Sequence, residues 1–88
     1  MRKISDVAIS GHNGLLVRFA DGDEKICDIA PFLERGDFQE LKDPSLFKTA
    51  KSITWGVEWD NGLDLSADTL DAIGKPAENA ISGERQKP

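Results

Sequence analysis

The chain has 88 residues, 39% hydrophobic and 31% charged, which suits one folded domain and is too short for two. Its net charge of -5 and its single cysteine exclude an intramolecular disulfide, a multi-cysteine metal site and the basic surface that unaided nucleic-acid binding needs. A core this small leaves a thin stability margin, so a homodimer stays open as a source of further burial.

In chain order, residues 4–9 place Val7 and Ile9 on one face of a strand, and residues 10–14 (SGHNG) supply a reversal. Leu15, Val17 and Phe19 then alternate with Leu16 and Arg18, the period of a strand covered on one face. Asp21 and Gly22 predict a tight hairpin with both central residues at positive φ, returning through residues 24–29, so the first half reads as a three-stranded antiparallel meander. Pro31 opens a short helical turn that Gly36 stops, and Asp43 before Pro44 is a stronger helix start, an acidic N-cap ahead of a proline at the first helical position.

Ile53, Trp55, Val57 and Trp59 give the clearest period-two pattern in the chain, which predicts one strand with both tryptophans on the same face, unless Gly56 divides it in two. Asp60, Asn61 and Gly62 form a second turn, residues 63–65 return, and Ser66 caps a helix that runs to Ile73 and ends at Gly74 and Pro76. The expected fold is therefore α+β: a small, mainly antiparallel sheet, built from the N-terminal meander and a C-terminal hairpin, with two or three short helices. Residues 1–74 make one domain and residues 75–88 a polar, disordered tail. No internal repeat is expected, since the two Gly-containing turns share only their chemistry.

Residues 1–74 hold eight Lys and Arg against fourteen Asp and Glu, so the folded part is more acidic than the whole and suits a basic protein partner, without direct nucleic-acid binding. The absence of a long apolar run predicts no membrane association, and the lone cysteine fits a reducing cytoplasm. His12 reads as an exposed turn residue and Cys27 as a buried small hydrophobe, with Lys25 beside it as the one feature that favours a reactive thiol. Neither Asp21, Asp23, Glu24 and Asp28 nor Asp60 and Asp64 have the spacing of a calcium loop, so no metal, cofactor or catalytic residue is assigned. Arg2, Lys3 and Arg18 form at most a small basic patch.

Phe19, Asp21, Gly22 and Asp28, the Gly36, Phe38, Leu41 and Phe47 spacing, and the segment WDNGLDLSADTL from Trp59 to Leu70 resemble the small bacterial family called Domain of Unknown Function 2442, over about residues 4–73. The resemblance implies a compact α+β fold, found alone or joined to a helix-turn-helix domain, often near toxin-antitoxin-like genes, with no established activity. Residues 75–88 are too polar for a helix-turn-helix.

The expected function is a non-enzymatic protein-interaction module, an accessory or antitoxin-like member of a bacterial gene pair. The contact is expected at the second turn through Trp59, Asp60, Asn61 and Asp64, with Asp21 and Asp23 at the first turn secondary. Trp59, abutting the turn, is the aromatic expected to be partly exposed. The alternatives are a component of a transcription regulator acting through a partner or DNA-binding subunit, and a small-molecule or metal-binding domain.

Overall fold

The alternation along residues 14–19 becomes β2 (Gly14–Phe19), which buries Leu15, Val17 and Phe19 and turns Arg18 to solvent. It lies between β1 (Ile4–Ser10) and β3 (Glu24–Asp28), both antiparallel to it, in the expected meander. The computed structural model describes residues 2–77.

A second sheet follows, with β4 (Lys51–Ile53), β5 (Gly56–Glu58) and β6 (Asp64–Ser66) antiparallel and in chain order. The single strand expected across residues 53–59 is thus divided, as the glycine between its apolar neighbours allowed. Ile53 pairs directly with Gly56 across a two-residue turn, Thr54 and Trp55. This turn ties the molecule together: the Thr54 carbonyl accepts the Ile4 N–H at 2.9 Å, and the Trp55 carbonyl accepts the Ala67 N–H at 2.7 Å. The tryptophans consequently part. Trp55 rides on the turn at 48% exposure, whereas Trp59 is 1% exposed in the core.

Between the sheets the chain makes two 3-10 segments, Ala30–Glu34 and Gly36–Lys42, then one turn of α-helix, α1 (Pro44–Phe47). The Asp43 carboxylate accepts the Ser45 N–H at 3.0 Å, so this N-cap forms as expected. The first run ends at Glu34, ahead of Gly36 as expected, and a second 3-10 run starts on that glycine. Leu33, Leu41 and Phe47 reach the core from this region, and Phe32, Phe38 and Leu46 pack against its edge.

The second helix, α2 (Ala67–Ile73), begins where Ser66 Oγ accepts the Thr69 N–H at 3.2 Å. Its buried Ala67 and Leu70 pack between the two sheets, in contact with β3, β5 and β6. After Gly74 the chain adds β7 (Lys75–Pro76) to the free side of β3. The folded unit therefore extends beyond the expected boundary at Gly74, and Ala77 is buried. The rest of the expected tail, residues 78–88, lies outside the described residues. Among the described residues, no helix is long and apolar enough to cross a membrane.

Candidate functional site

The two turns that punctuate the sheets have the same backbone. Phe19 N–H donates to the Asp23 carbonyl at 2.8 Å and Gly22 N–H to the Phe19 carbonyl at 2.9 Å; at the second turn Trp59 N–H donates to the Leu63 carbonyl and Gly62 N–H to the Trp59 carbonyl, both at 2.9 Å. Only the glycines enter the left-handed region, Gly22 at φ 94° and Gly62 at φ 90°. The expected turn with two positive-φ residues is therefore replaced by a three-residue loop in which a glycine bulge closes an ordinary turn. Asp21 and Asn61 stay at negative φ and stiffen the loops instead: Asp21 Oδ1 accepts the Asp23 N–H at 3.0 Å and Asn61 Oδ1 accepts the Leu63 N–H at 3.1 Å. The likeness reaches only a short way into the preceding strands: Val17 and Val57, then Phe19 and Trp59, are buried ahead of corresponding glycines, whereas Leu15 is buried and Trp55 exposed, so the flanking segments do not otherwise align.

What differs is the charge each hairpin carries. Arg2 spans the first: its Nη2 lies 3.0 Å from Asp21 Oδ1 and 3.0 Å from Asp23 Oδ2, its Nη1 3.0 Å from Asp71 Oδ1 on α2, and its guanidinium 3.9 Å from the Phe19 ring centroid. Lys25 completes the cluster, with its Nζ donating to Asp71 Oδ1 and, at 2.9 Å, to the Asp71 carbonyl. Asp21 and Asp23 are thereby committed to pinning the N-terminal segment and α2 to the first turn. Arg18 is matched by Glu24 directly opposite, at 2.7 Å. No open basic patch forms from Arg2, Lys3 and Arg18, because two of the three are paired with acids.

The Asp23 N–H holds the Asp21 carboxyl below its usual range, with Arg2 adding to the effect, and the Lys25 ammonium does the same for Asp71. A carboxyl with a lowered folded pKa adds stability that is present above its unfolded pKa and is lost as pH falls through the folded one. The melting temperature should therefore begin to fall as pH drops below the unfolded carboxylate value of about 3.9. R2Q should flatten that acid limb. An unchanged limb in thermal melts across this range would show that the cluster is not coupled to folding.

The second hairpin has no such clamp. Glu58 stands directly opposite Asp64, so two acids face each other where the first hairpin has Arg18 and Glu24. Lys51 lies opposite Glu58 on the other side, and its Nζ approaches Asp60 Oδ1 at 3.9 Å. Asn61 Nδ2 donates to Glu40 Oε1 at 2.9 Å, fastening the loop to the second 3-10 segment. Asp64 is exposed and has no ion pair or side-chain hydrogen bond among the described residues.

Trp59, expected to be partly exposed, is instead the foundation beneath this loop. Its Nε1–H donates to the Phe47 carbonyl at 3.1 Å, its ring meets Phe38 edge-on at 6.5 Å between centroids, and Phe47 lies 6.1 Å away. A cleft of about 500 Å³ opens beside it, between β6 and the 3-10 segments. Half-buried Phe32, Phe38 and Leu63 with buried Leu65 supply its apolar surface, while Arg35, Asp37, Asp64, Ser66 and Thr69 supply its polar groups. Of the contact residues expected from the sequence, only Asp64 lines this cleft, with Asp60 and Asn61 on the adjoining turn. Phe38 enters the sequence reading only through the family spacing, and neither it nor Phe32 and Arg35 is assigned there to a site, because irregular helical turns carry no periodic signal that would place them beside β6. The unmatched Glu58 and Asp64 pair was legible in principle from the alignment of the two hairpins.

His12 is exposed at the first reversal and shares a separate cleft of about 310 Å³ with Glu34 and Lys42, which pair at 3.3 Å. Cys27 is buried, its Sγ–H donating to the Leu70 carbonyl at 3.3 Å, and burial pushes its pKa up to about 11 despite Lys25, which favours the unreactive thiol. Among the described residues, no group of three or more His, Cys, Asp and Glu is placed to hold a metal ion.

A family model with the description "Protein of unknown function (DUF2442)" matches residues 4–76. Its limits run from the first residue of β1 to the last of β7. Neither a curated protein nor a solved structure matches the chain.

Proposed function

The chain belongs to the DUF2442 family of unknown function, and from that premise we propose that it is a non-enzymatic protein-interaction module whose contact surface is the second turn and the cleft beside β6. The observation that carries this reading is the contrast between two hairpins of one geometry. The first spends its acids on internal ion pairs with Arg2 and Arg18, whereas the second leaves Asp64 opposite Glu58 at the mouth of a partly apolar cleft. Like charges directly opposite on a sheet work against pairing, a cost that a docked cationic group relieves. Apolar surface with a polar, charged border is also the composition of a protein contact.

This assignment supports Asp60, Asn61 and Asp64 as surface groups and moves Trp59 beneath them, where it holds the loop without touching a partner. Site-specific photo-crosslinking in cells that make the protein tests it. Benzoylphenylalanine at Thr69 or Asp37, in the cleft, should give a covalent adduct with a second protein, and the same group at Ile9 on the far end of β1 should not. Adducts from Ile9 alone, or none from either cleft position, would contradict the reading.

A further inference from the structure

We propose that the cleft receives an extended partner segment as a fourth strand on β6, with a lysine or arginine of that segment opposite Asp64 and apolar residues on either side of it. This rests on the interaction-module reading and adds to it the mode of binding and the chemistry of the partner.

The second sheet has the order β4, β5, β6, so β6 is an edge. Hydrogen-bonded pairs alternate along an antiparallel ladder. Trp59 bonds with Leu63, so Val57 and Leu65 make the next bonded pair, and the backbone groups of Asp64 and the N–H of Ser66 face away from β5. Among the described residues, no other strand pairs with them. The cleft is lined by Leu63, Asp64, Leu65 and Ser66 in succession, so it runs along this edge.

Charge and register then choose the occupant. Lys51, Glu58 and Asp64 form one row across the sheet, positive, negative, negative. The next position in that row belongs to the added strand, and a basic residue there balances the two acids. Because side chains alternate along a strand, its two neighbours project to the opposite face, the side of Leu65, where Phe32 and Phe38 give apolar surface. The preferred segment is apolar, basic, apolar. A second copy of this chain is disfavoured as occupant, since edge-to-edge pairing of two β6 strands brings the two Asp64 carboxylates together. Strand addition draws its affinity from main-chain hydrogen bonds and its specificity from alternate side chains.

A phage-displayed library of random dodecapeptides, selected on the full chain, tests this directly. Enriched peptides should carry the apolar, basic, apolar pattern, and should slow amide hydrogen exchange at Asp64 and Ser66. Methylating the backbone nitrogen that faces β6 should weaken binding by about tenfold for the one hydrogen bond removed. D64K should lose the selected peptides and bind versions with glutamate in place of the basic residue. Peptides that obey the charge swap but tolerate N-methylation would overturn strand addition while leaving the contact surface in place. No enrichment, or binding indifferent to D64K, would overturn the proposal, and so would self-association of the chain that protects the Asp64 and Ser66 amides without peptide.

Discussion

Replacing Trp59 by alanine should cost the domain about 3–5 kcal/mol, the usual loss for a large aromatic removed from a packed core. The side chain is 1% exposed, donates to the Phe47 carbonyl and lies between Phe38 and Phe47, so truncation removes a hydrogen bond and two aromatic contacts together. Small domains have a total stability of roughly 0.05–0.15 kcal/mol per residue, so this single change takes up much of the margin. W59A should therefore show a urea midpoint far below that of the wild type, and W59F a smaller fall, since the ring is kept and only the indole donor is lost. A wild-type midpoint for W59A would mean that the indole is not core. The same argument bars W59A as a test of binding, because an unfolded domain loses every partner.

Gly56 should also be intolerant, for a different reason. A Cβ built there would lie 2.3 Å from the Leu65 carbonyl oxygen and 3.3 Å from the Ser66 Cα, both backbone atoms of the paired strand. A flexible side chain would swing aside; a strand backbone moves only by giving up its ladder. G56A should separate β6 from β5 at a cost of about 1–3 kcal/mol, as for other overpacked sites, and G56V should cost more. Amide exchange should quicken at Leu65, and the cleft, one wall of which is β6, should be lost with it. A melting temperature within about 2 °C of wild type would contradict this, since 1 kcal/mol moves a domain of this size by roughly 4–8 °C.

Where residues act through local rules, the sequence was readable. Leu15, Val17 and Phe19 alternate because one face of β2 is buried, and Asp43 and Ser66 start helices because their side chains satisfy the first free N–H groups. Where long-range contacts decide, it was less so. The alternation through Ile53, Trp55, Val57 and Trp59 is compatible with one strand, and only the bonds from Ile4 and Ala67 to the Thr54 and Trp55 carbonyls fix a turn in its middle. That turn reverses the expected fates of the tryptophans. β7 joins β3 through a pairing some fifty residues away in the chain, and Lys75 and Pro76 give no strand signal of their own. At the candidate site, Asp60, Asn61 and Asp64 were legible as a polar turn. The placement of Phe32, Arg35 and Phe38 beside β6 was not, because they are brought there by 3-10 segments with no regular period.

The two hairpins also suggest how one loop geometry serves two ends. A glycine bulge with an Asx side chain behind it makes a stiff reversal in both. Arg2, bonded to Asp21, Asp23 and Asp71, locks the first to the N-terminal segment and α2, and Arg18 offsets Glu24 across it; like charges across the second leave it to be completed from outside.

The central claim, that the second hairpin and its cleft are the contact surface while the first is structural, is tested most directly by calorimetric titration of the crosslinked partner, once identified, against three folded proteins. D64K should weaken binding by tenfold or more relative to wild type, whereas R2Q, which opens the first-turn cluster, should leave the affinity unchanged once its melting temperature shows it to be folded. Full affinity in D64K together with a loss in R2Q would contradict the account and move the contact surface to the first hairpin.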